Sequence, residues 1–464
     1  MRYSRWVVPK ISITFARGAR RVTGSNFLIT IAGNTTTRLL IDCGLSQGGG
    51  TTESLCESPN AEPFIYDPKT IDALFFTHAH ADHIGLYPKL VNAGFNGRVY
   101  ATHPTAALMP VMLEDSASLI AKDAERCHQA PLYTLNDIEP AVSHVKTVSY
   151  HEAISVADGI TATFYNAGHI VGSALIVFDI HGIRVLFTGD LGRTPAILVP
   201  DREVPEHVDY LVTESVYGNR AHGDKSISDA MLAEAVRRTV KNTGVLLIPA
   251  FSLERTQIIL SSLETMMKAR TIPDVAVYMD SPLADKVTHI YRDNPEYLRD
   301  DIKIMLAKGD DPFSFRTLKV TVNKEASSAI DHAPTPKVII AGAGMSHGGR
   351  IRHHEERYLG DPTTTVLLVG YQVAGSLGRR IRDGARVVEI NHKKVRVRAN
   401  VEVVDGYSAH ADRDDLLQFA EAIKPKKAFV VLGETEASTF LAQRISGFLG
   451  IPAHVPREGE TVDL

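Results

Sequence analysis

Six residues, His78-Ala79-His80-Ala81-Asp82-His83, restrict what this chain can fold into more than any other stretch of it. They follow Ala73-Leu74-Phe75-Phe76, an apolar run of β type, and so put four groups able to ligate a metal where a buried strand ends. Residues two apart at a strand end point to one side, so His78 and His80 can converge while Asp82 and His83 turn toward a second ion. At the frequencies of His and Asp in this sequence, HxHxDH arises by chance in roughly one of several hundred chains of this length. A solvated polar loop is the plain alternative, and only partners elsewhere in the chain reduce its weight.

Three such partners stand out: His169 in Ala-Gly-His-Ile-Val-Gly-Ser, Asp190 in Phe-Thr-Gly-Asp-Leu-Gly and His410 in Tyr-Ser-Ala-His-Ala-Asp. Taken singly, each is more often a turn residue or a satisfied, partly buried side chain. Each, however, follows or flanks a β-type run and lies among Gly, Ser or Ala, residues that let backbone and substrate approach closely. A catalytic zinc pair needs neutral imidazoles and carboxylates converging from strand-end loops, with coordination left open for water.

At 464 residues and 44% hydrophobic content the chain can bury a large core and suggests two domains. Up to residue 213 it is rich in short strands, ISITFA, NFLITIAG, TRLLIDCG, IDALFFTHAH, GITATFYNA, SALIVFDI and IRVLFTGD, with His181-Gly182 as a hairpin turn and a helix over Thr105–Cys127. Residues 214–361 alternate helix and strand, as in a parallel sheet covered by helices. Residues 362–464 return to strands and two helices, so the first domain is expected to resume there after an inserted one.

The formal charge of −4 excludes a generally basic protein, and any contact with nucleic acid must come from local patches. Candidates are Arg350, Arg352, His353 and His354, then Arg379, Arg380 and Arg382, then Lys393, Lys394, Arg396 and Arg398, each also readable as a solvated surface. No apolar run approaches the roughly 20 residues of a membrane span, and the opening residues lack the apolar core of a signal peptide. A cytoplasmic protein without membrane contact is expected. Cys43, Cys56 and Cys127 are too few and scattered for a disulfide framework.

The ordered set Asp42, His78 to His83, His169 and Asp190 resembles the metallo-β-lactamase family. Glu214 in Val-Thr-Glu-Ser-Val-Tyr-Gly-Asn-Arg and His410 in YSAHAD are similar to motifs A and C of its β-CASP nuclease branch, and the stretch from Gly342 to Gly384 resembles that branch's joining segment. The resemblance implies an α/β fold, an αββα sandwich with an inserted β-CASP α/β domain. It also implies two Zn2+, one held by His78, His80 and His169, the other by Asp82, His83 and His410, with Asp190 bridging and Asp42 orienting a ligand histidine.

A histidine at motif C points, within that branch, to RNA, here single-stranded RNA. The chain resembles the pre-mRNA 3′-end cleavage endonuclease and its bacterial and archaeal relatives, and it ends soon after the first domain resumes; both favour endonucleolytic cutting. Oligomerisation is left open. The chemistry implied is phosphodiester hydrolysis by a hydroxide between two zincs, with Asp82 or Asp190 accepting a proton and Glu214, together with His410, at the reacting centre. Substrate contacts are expected from Ser252 and Arg255 after one strand of the insert, and from the turn Ser346-His347-Gly348-Gly349-Arg350 after another, where backbone N–H groups could cradle a phosphate. Two positions depart from the branch's pattern: Arg380 stands at the motif B histidine, and Leu432 stands where a histidine precedes Gly433-Glu434. An arginine can clamp a phosphate oxygen but cannot donate a proton near neutral pH.

Overall fold

The structure is a computed structural model that describes residues 9–47, 56, 58–370, 372 and 375–464. The chain divides into two compact units: the first holds the described residues up to Ala221 together with His410–Leu464, the second those from His222 to Ala409.

In the first unit, β1 (Lys10–Arg17), β2 (Asn26–Ala32) and β3 (Thr36–Ile41) pair antiparallel, and β4 (Ala73–Phe75), β5 (Arg98–Thr102) and β6 (Val145–Val148) extend the sheet in parallel. A second sheet runs through β7 (Ala153–Ala157), β8 (Ile160–Asn166), β9 (Ala174–Ile180) and β10 (Ile183–Phe187), all antiparallel, to β11 (Tyr210–Thr213), which joins in parallel. His181 and Gly182, both at positive φ, make the tight turn between β9 and β10 that their sequence predicts. Alternate residues of β8 are buried, as expected of a strand with one face on a core. Between the two sheets, Phe15, Phe27, Phe75, Phe164, Phe178 and Phe187 share one apolar cluster. On the far face of the second sheet, Leu175, Leu186 and Leu211 pack on Leu416, Phe419, Leu441 and Ile445 from the helices Arg413–Ile423 and Thr435–Leu449. The helix His103–Arg126, with Leu108, Met109 and Leu113 buried, lies along β5 and β6. The result is the expected αββα layering.

The second unit carries β12 (Val245–Pro249), β13 (Ala276–Asp280), β14 (Leu318–Val320), β15 (Lys337–Ala341), β16 (Thr365–Val369), the hairpin of β17 (Val387–Ile390) and β18 (Lys393–Arg396), and β19 (Asn400–Val404). Its main sheet, in the order β14-β13-β15-β12-β16-β19, is parallel throughout, with strands such as β12, β15 and β16 buried along their whole length. The chain then returns: β20 (Lys427–Val430) lies parallel to β11, β21 (Ala453–His454) parallel to β20, and β22 (Thr461–Asp463) antiparallel to β1.

Two expectations change. The insert was placed at 214–361, yet β16 pairs with β12 and β19 with β16, so residues up to Ala409 belong to the second unit and the first resumes at His410. Cys56 and Cys127 form a disulfide, with α-carbons 5.3 Å apart, because the end of the helix His103–Arg126 sets Cys127 beside Cys56. Cys43 is free and buried, as a small apolar side chain would be. Among the described residues no helix is long and apolar enough to cross a membrane.

Candidate metal centre

Every proposed metal ligand lies in the first unit, at loops that follow strand ends. Asp42 follows β3 at positive φ, fully buried. Its carboxylate accepts the Thr77 N–H at 2.8 Å, the Ser25 hydroxyl at 2.9 Å, the Thr77 hydroxyl at 2.9 Å and His83 Nδ1–H at 2.7 Å. Holding the proton on Nδ1 leaves the Nε2 lone pair of His83 facing Asp190 Oδ1 at 3.2 Å. That Nε2 is buried without a hydrogen-bond partner, a costly arrangement unless a cation sits there. Thr77 works twice, since its hydroxyl hydrogen is committed to Asp42 and its oxygen can accept His78 Nδ1–H at 3.1 Å. That bond frees His78 Nε2 to ligate.

Past β4 the chain places His78 and then His80, which opens the short helix Ala81–Ile84. His169 follows β8, with its own N–H donated to Ser173 Oγ at 3.1 Å. His80 Nδ1 lies 2.9 Å from His78 Nε2 and 3.3 Å from His169 Nε2, and the latter two each lie 3.5 Å from Asp190 Oδ2. Ligand atoms bound tetrahedrally to zinc at 2.0–2.2 Å stand roughly 3.3–3.6 Å apart, and these contacts of 2.9–3.5 Å are close enough to that for the three imidazoles and the carboxylate to hold one metal ion between them. The four form one ligand cluster, and Asp190, Glu214 and His410 form another that shares Asp190.

Two close backbone approaches make this convergence possible. A Cβ on Gly44 would fall 1.6 Å from the Asp82 carbonyl oxygen, and one on Gly192 would fall 1.9 Å from that of Gly168. Glycine at these points therefore brings the Asp42 loop against the His80 turn, and the Asp190 loop against the His169 loop. His410 is tied to the same place by a bridge to Gly192.

Electrostatics follow from burial and neighbours. Burial, then the neighbouring histidines, lowers the pKa of His78 and drives that of His80 well down; burial and His410 do the same to His169. All three imidazoles are thereby kept neutral and able to bind metal. Burial also opposes charge on His83 and His410, but the carboxylates of Asp190 and Asp42 raise His83 well above its usual range, and Glu214 and Asp190 raise His410 to about 9. Asp190 would be raised by burial, yet His83 and His410 hold it well below the usual carboxylate range. Burial pushes the Asp82 and Glu214 acids up.

The second set was expected to join Asp82, His83 and His410, but the close cluster around His410 is made with Asp190 and Glu214, while His83 faces Asp190 from its other oxygen and Asp82 stays half-buried in the adjoining turn. Glu214, expected among the reacting groups, is fully buried: it accepts the Leu191 N–H at 2.7 Å and lies 3.2 Å from His410 Nδ1. That contact turns His410 Nε2 toward Asp190, 3.9 Å away, much as Asp42 turns His83. Thr77, Ser25 and Ser173 were missed, although Thr77 immediately precedes the six-residue motif and Ser173 closes the His169 turn.

The expected substrate contacts lie in the second unit and fare unevenly. Ser252, half-buried, pairs with Ser281 at 3.1 Å and does not cap the following helix, whose N-cap is Glu254. Arg255 is buried with its guanidinium on the Val369 carbonyl at 2.6 Å, so it braces the fold. Ser346 is buried against Glu355, and Arg350 binds the buried Asp280 at 2.7 Å. The Ser346 and Ile351 N–H groups are spent on the Ala343 and Gly342 carbonyls, which shrinks the phosphate cradle expected there. His347, Gly349 and Arg380 remain exposed and Gly348 half-buried. Leu432 is core, packed with Phe15 and Phe27.

Comparison with known proteins agrees with this geometry. Residues 20–232 match the family model of the metallo-β-lactamase superfamily, 256–381 that of the Beta-Casp domain, and 394–456 that of the Zn-dependent metallo-hydrolase RNA specificity domain. The chain is 35% identical to "Ribonuclease TTHA0252" of Thermus thermophilus, over 96% of this chain and 98% of that one. It is 33% identical to "Transcription termination factor FttA" of Methanosarcina mazei, over 98% of this chain and 72% of that one. It is also 32% identical to "Endoribonuclease ysh1" of Schizosaccharomyces pombe, over 81% of this chain and 49% of that one. A crystal structure from Enterococcus faecalis V583, of a protein of unknown function, shares the fold with a TM-score of 0.54 at 13% identity, covering 98% of this chain and all of that one. With a histidine and aspartate cluster at the strand ends of an αββα sandwich, and with relatives matched along nearly its whole length, the chain belongs to the metallo-β-lactamase superfamily, in its β-CASP branch.

Proposed function

We propose that this chain is a zinc-dependent ribonuclease that cuts single-stranded RNA endonucleolytically. The observation that carries the reading is Asp190, whose carboxylate lies among four imidazoles, His83 on one oxygen and His78, His169 and His410 on the other. One carboxylate between two sets of nitrogen donors is the arrangement that holds a pair of ions. The relatives, a ribonuclease and an endoribonuclease among them, support RNA as the substrate.

Two zinc ions, when bound, supply a hydroxide nucleophile near neutral pH and positive charge for the phosphoryl oxygens. The chain's own residues do the rest. Asp42 and Glu214 fix the tautomers of His83 and His410, so that each presents Nε2 toward Asp190. Asp82, half-buried in the turn after His80, is placed to hold a proton released in the reaction. Arg380, exposed on the helix Leu377–Arg382, contributes phosphate binding rather than proton donation. Ser252, His347, Gly348 and Gly349 are the remaining substrate contacts of the reading; Arg255, Ser346 and Arg350 support them from inside the fold.

The test is cleavage of RNA labelled at its 5′ or its 3′ end by zinc-loaded protein, beside metal analysis. Internal products from both labels and about two zincs per chain are expected, with cleavage abolished in Asp190→Ala. Mononucleotides released from one end only would overturn the endonucleolytic mode. Rapid lactam or thioester turnover with RNA left intact would overturn the substrate class.

A further inference from the structure

The stretch Leu377–Arg398 holds eight Lys and Arg against two acidic residues, in a chain whose formal charge is −4. The fold gathers it into one place: the helix Leu377–Arg382 runs into β17 and packs on it, and β17 pairs with β18. Along and just beyond β18, burial alternates, with Lys394, Arg396 and Arg398 exposed and Val395 and Val397 half-buried. The Val397 N–H donates to the Arg386 carbonyl at 2.9 Å, so the strand pairing continues past Arg396 and holds the row on hydrogen-bonded backbone. Side chains two apart on a strand stand about 6.8 Å from one another, a spacing that successive phosphates of an extended nucleic-acid strand can follow.

Of the nearby described acids, all but Glu389 are engaged by other groups, and Glu389 offsets one charge of the row. Asp383 is taken by Arg379, Glu356 by Lys393 and Asn391, and Glu402 by Arg238 and Asn400. Glu389, opposite Lys394, has only His392 within ion-pair distance. Among the described residues Arg382, Arg386, Lys394, Arg396 and Arg398 have no ion pair. Several exposed arginines and lysines held without an ion pair on rigid, hydrogen-bonded backbone make a surface that attracts a polyanion and orders little on binding it. The stretch Leu377–Arg398 holds no Phe, Tyr or Trp to stack on a base, so the row reads charge and not sequence.

We infer that the row formed by Lys394, Arg396 and Arg398 binds the phosphate backbone of RNA at nucleotides outside the scissile bond, without sequence preference. This rests on RNA being the substrate. It assigns the β17–β18 hairpin a role apart from the metal centre: it makes affinity depend on how much RNA lies beyond the cut.

The experiment compares the full-length chain with the triple variant Lys394→Ala, Arg396→Ala, Arg398→Ala. Binding of a fluorescent 20-nucleotide single-stranded RNA is followed by anisotropy at several salt concentrations, with zinc withheld by chelation so that the RNA stays intact. KM and kcat are then measured with zinc present. The variant is expected to bind at least about tenfold more weakly at 0.1 M salt, with the slope of log affinity against log salt shallower by about 2, the value for three lost contacts to a single strand. KM rises while kcat is retained, and the charge-conserving variant Lys394→Arg, Arg396→Lys, Arg398→Lys keeps the parental slope. Equal affinity and equal slope in a variant that unfolds at the parental temperature would overturn the assignment, as would retained RNA binding with loss of binding to polyglutamate, which would mark a protein-docking face. Should the parent neither bind nor cut RNA, the substrate reading itself fails; a parent that cuts RNA beside an unaltered triple variant removes only the hairpin's role.

Discussion

Asp42 touches no open space, yet the metal centre turns on it. Its two oxygens are engaged by Ser25, Thr77 and His83, so an amide in its place would leave a buried donor facing donors. Asp42→Asn is therefore expected to fold but to bind zinc about 10–100-fold more weakly, as read by competition with a chromophoric chelator. Glu214→Gln should show a milder version of the same loss, because Gln can still accept the Leu191 N–H while its hold on His410 weakens. The histidines and Asp190 were legible in the sequence because ligand types recur at strand ends. Thr77 was not, since a hydroxyl is ordinary anywhere and acquires its role only when the fold sets it between Asp42 and His78. Arg255 shows the opposite case: a charged side chain beside a strand end suggests substrate, but burial commits it to a carbonyl.

Among the elements, loops carry the chemistry and glycines set their spacing. Gly192→Ala must push apart the loops bearing Asp190 and His169, so it should cost about 1–3 kcal/mol in denaturant unfolding and lower zinc occupancy together with stability. In the second unit the helix Ile351–Tyr358 buries Glu355, whose acid is pushed up to about 8 by burial, against an ordinary value of 4.5. A raised folded pKa means that the folded chain holds this proton more tightly, so its contribution to stability is complete below about pH 4.5 and lost as pH rises through about 8. Melting temperatures of wild type should fall across that window by an increment that Glu355→Gln lacks. Strands with alternating or wholly apolar runs were read correctly from sequence. The boundary near 362 was misread because Thr365–Val369 is a short apolar strand that would suit either sheet, and only its pairing with β12 decides.

For the molecule as a whole, the separation of tasks has a calorimetric consequence. The ligand clusters lie within the first unit, so a metal that binds only the folded form stabilises that unit, by about 2.7 kcal/mol at a hundredfold excess over Kd. Chelation should lower one unfolding transition and leave a second unmoved, with zinc restoring the first; two transitions shifting equally would contradict that independence. The two-unit plan was legible because texture changes along the chain. The disulfide was not, since three scattered cysteines carry no pairing signal until a helix brings two of them together.

The return of the chain at His410 also sets a schedule. During synthesis, the loops bearing His78, His80, His169 and Asp190 leave the ribosome long before His410 and the strand β20 that flanks β11. A nascent polypeptide thus holds the first ligand cluster with the second unfinished, and its second sheet still lacks β20 and β21. For a chain proposed to cut RNA and built upon a messenger, competence arrives only after the whole of the second unit has been made.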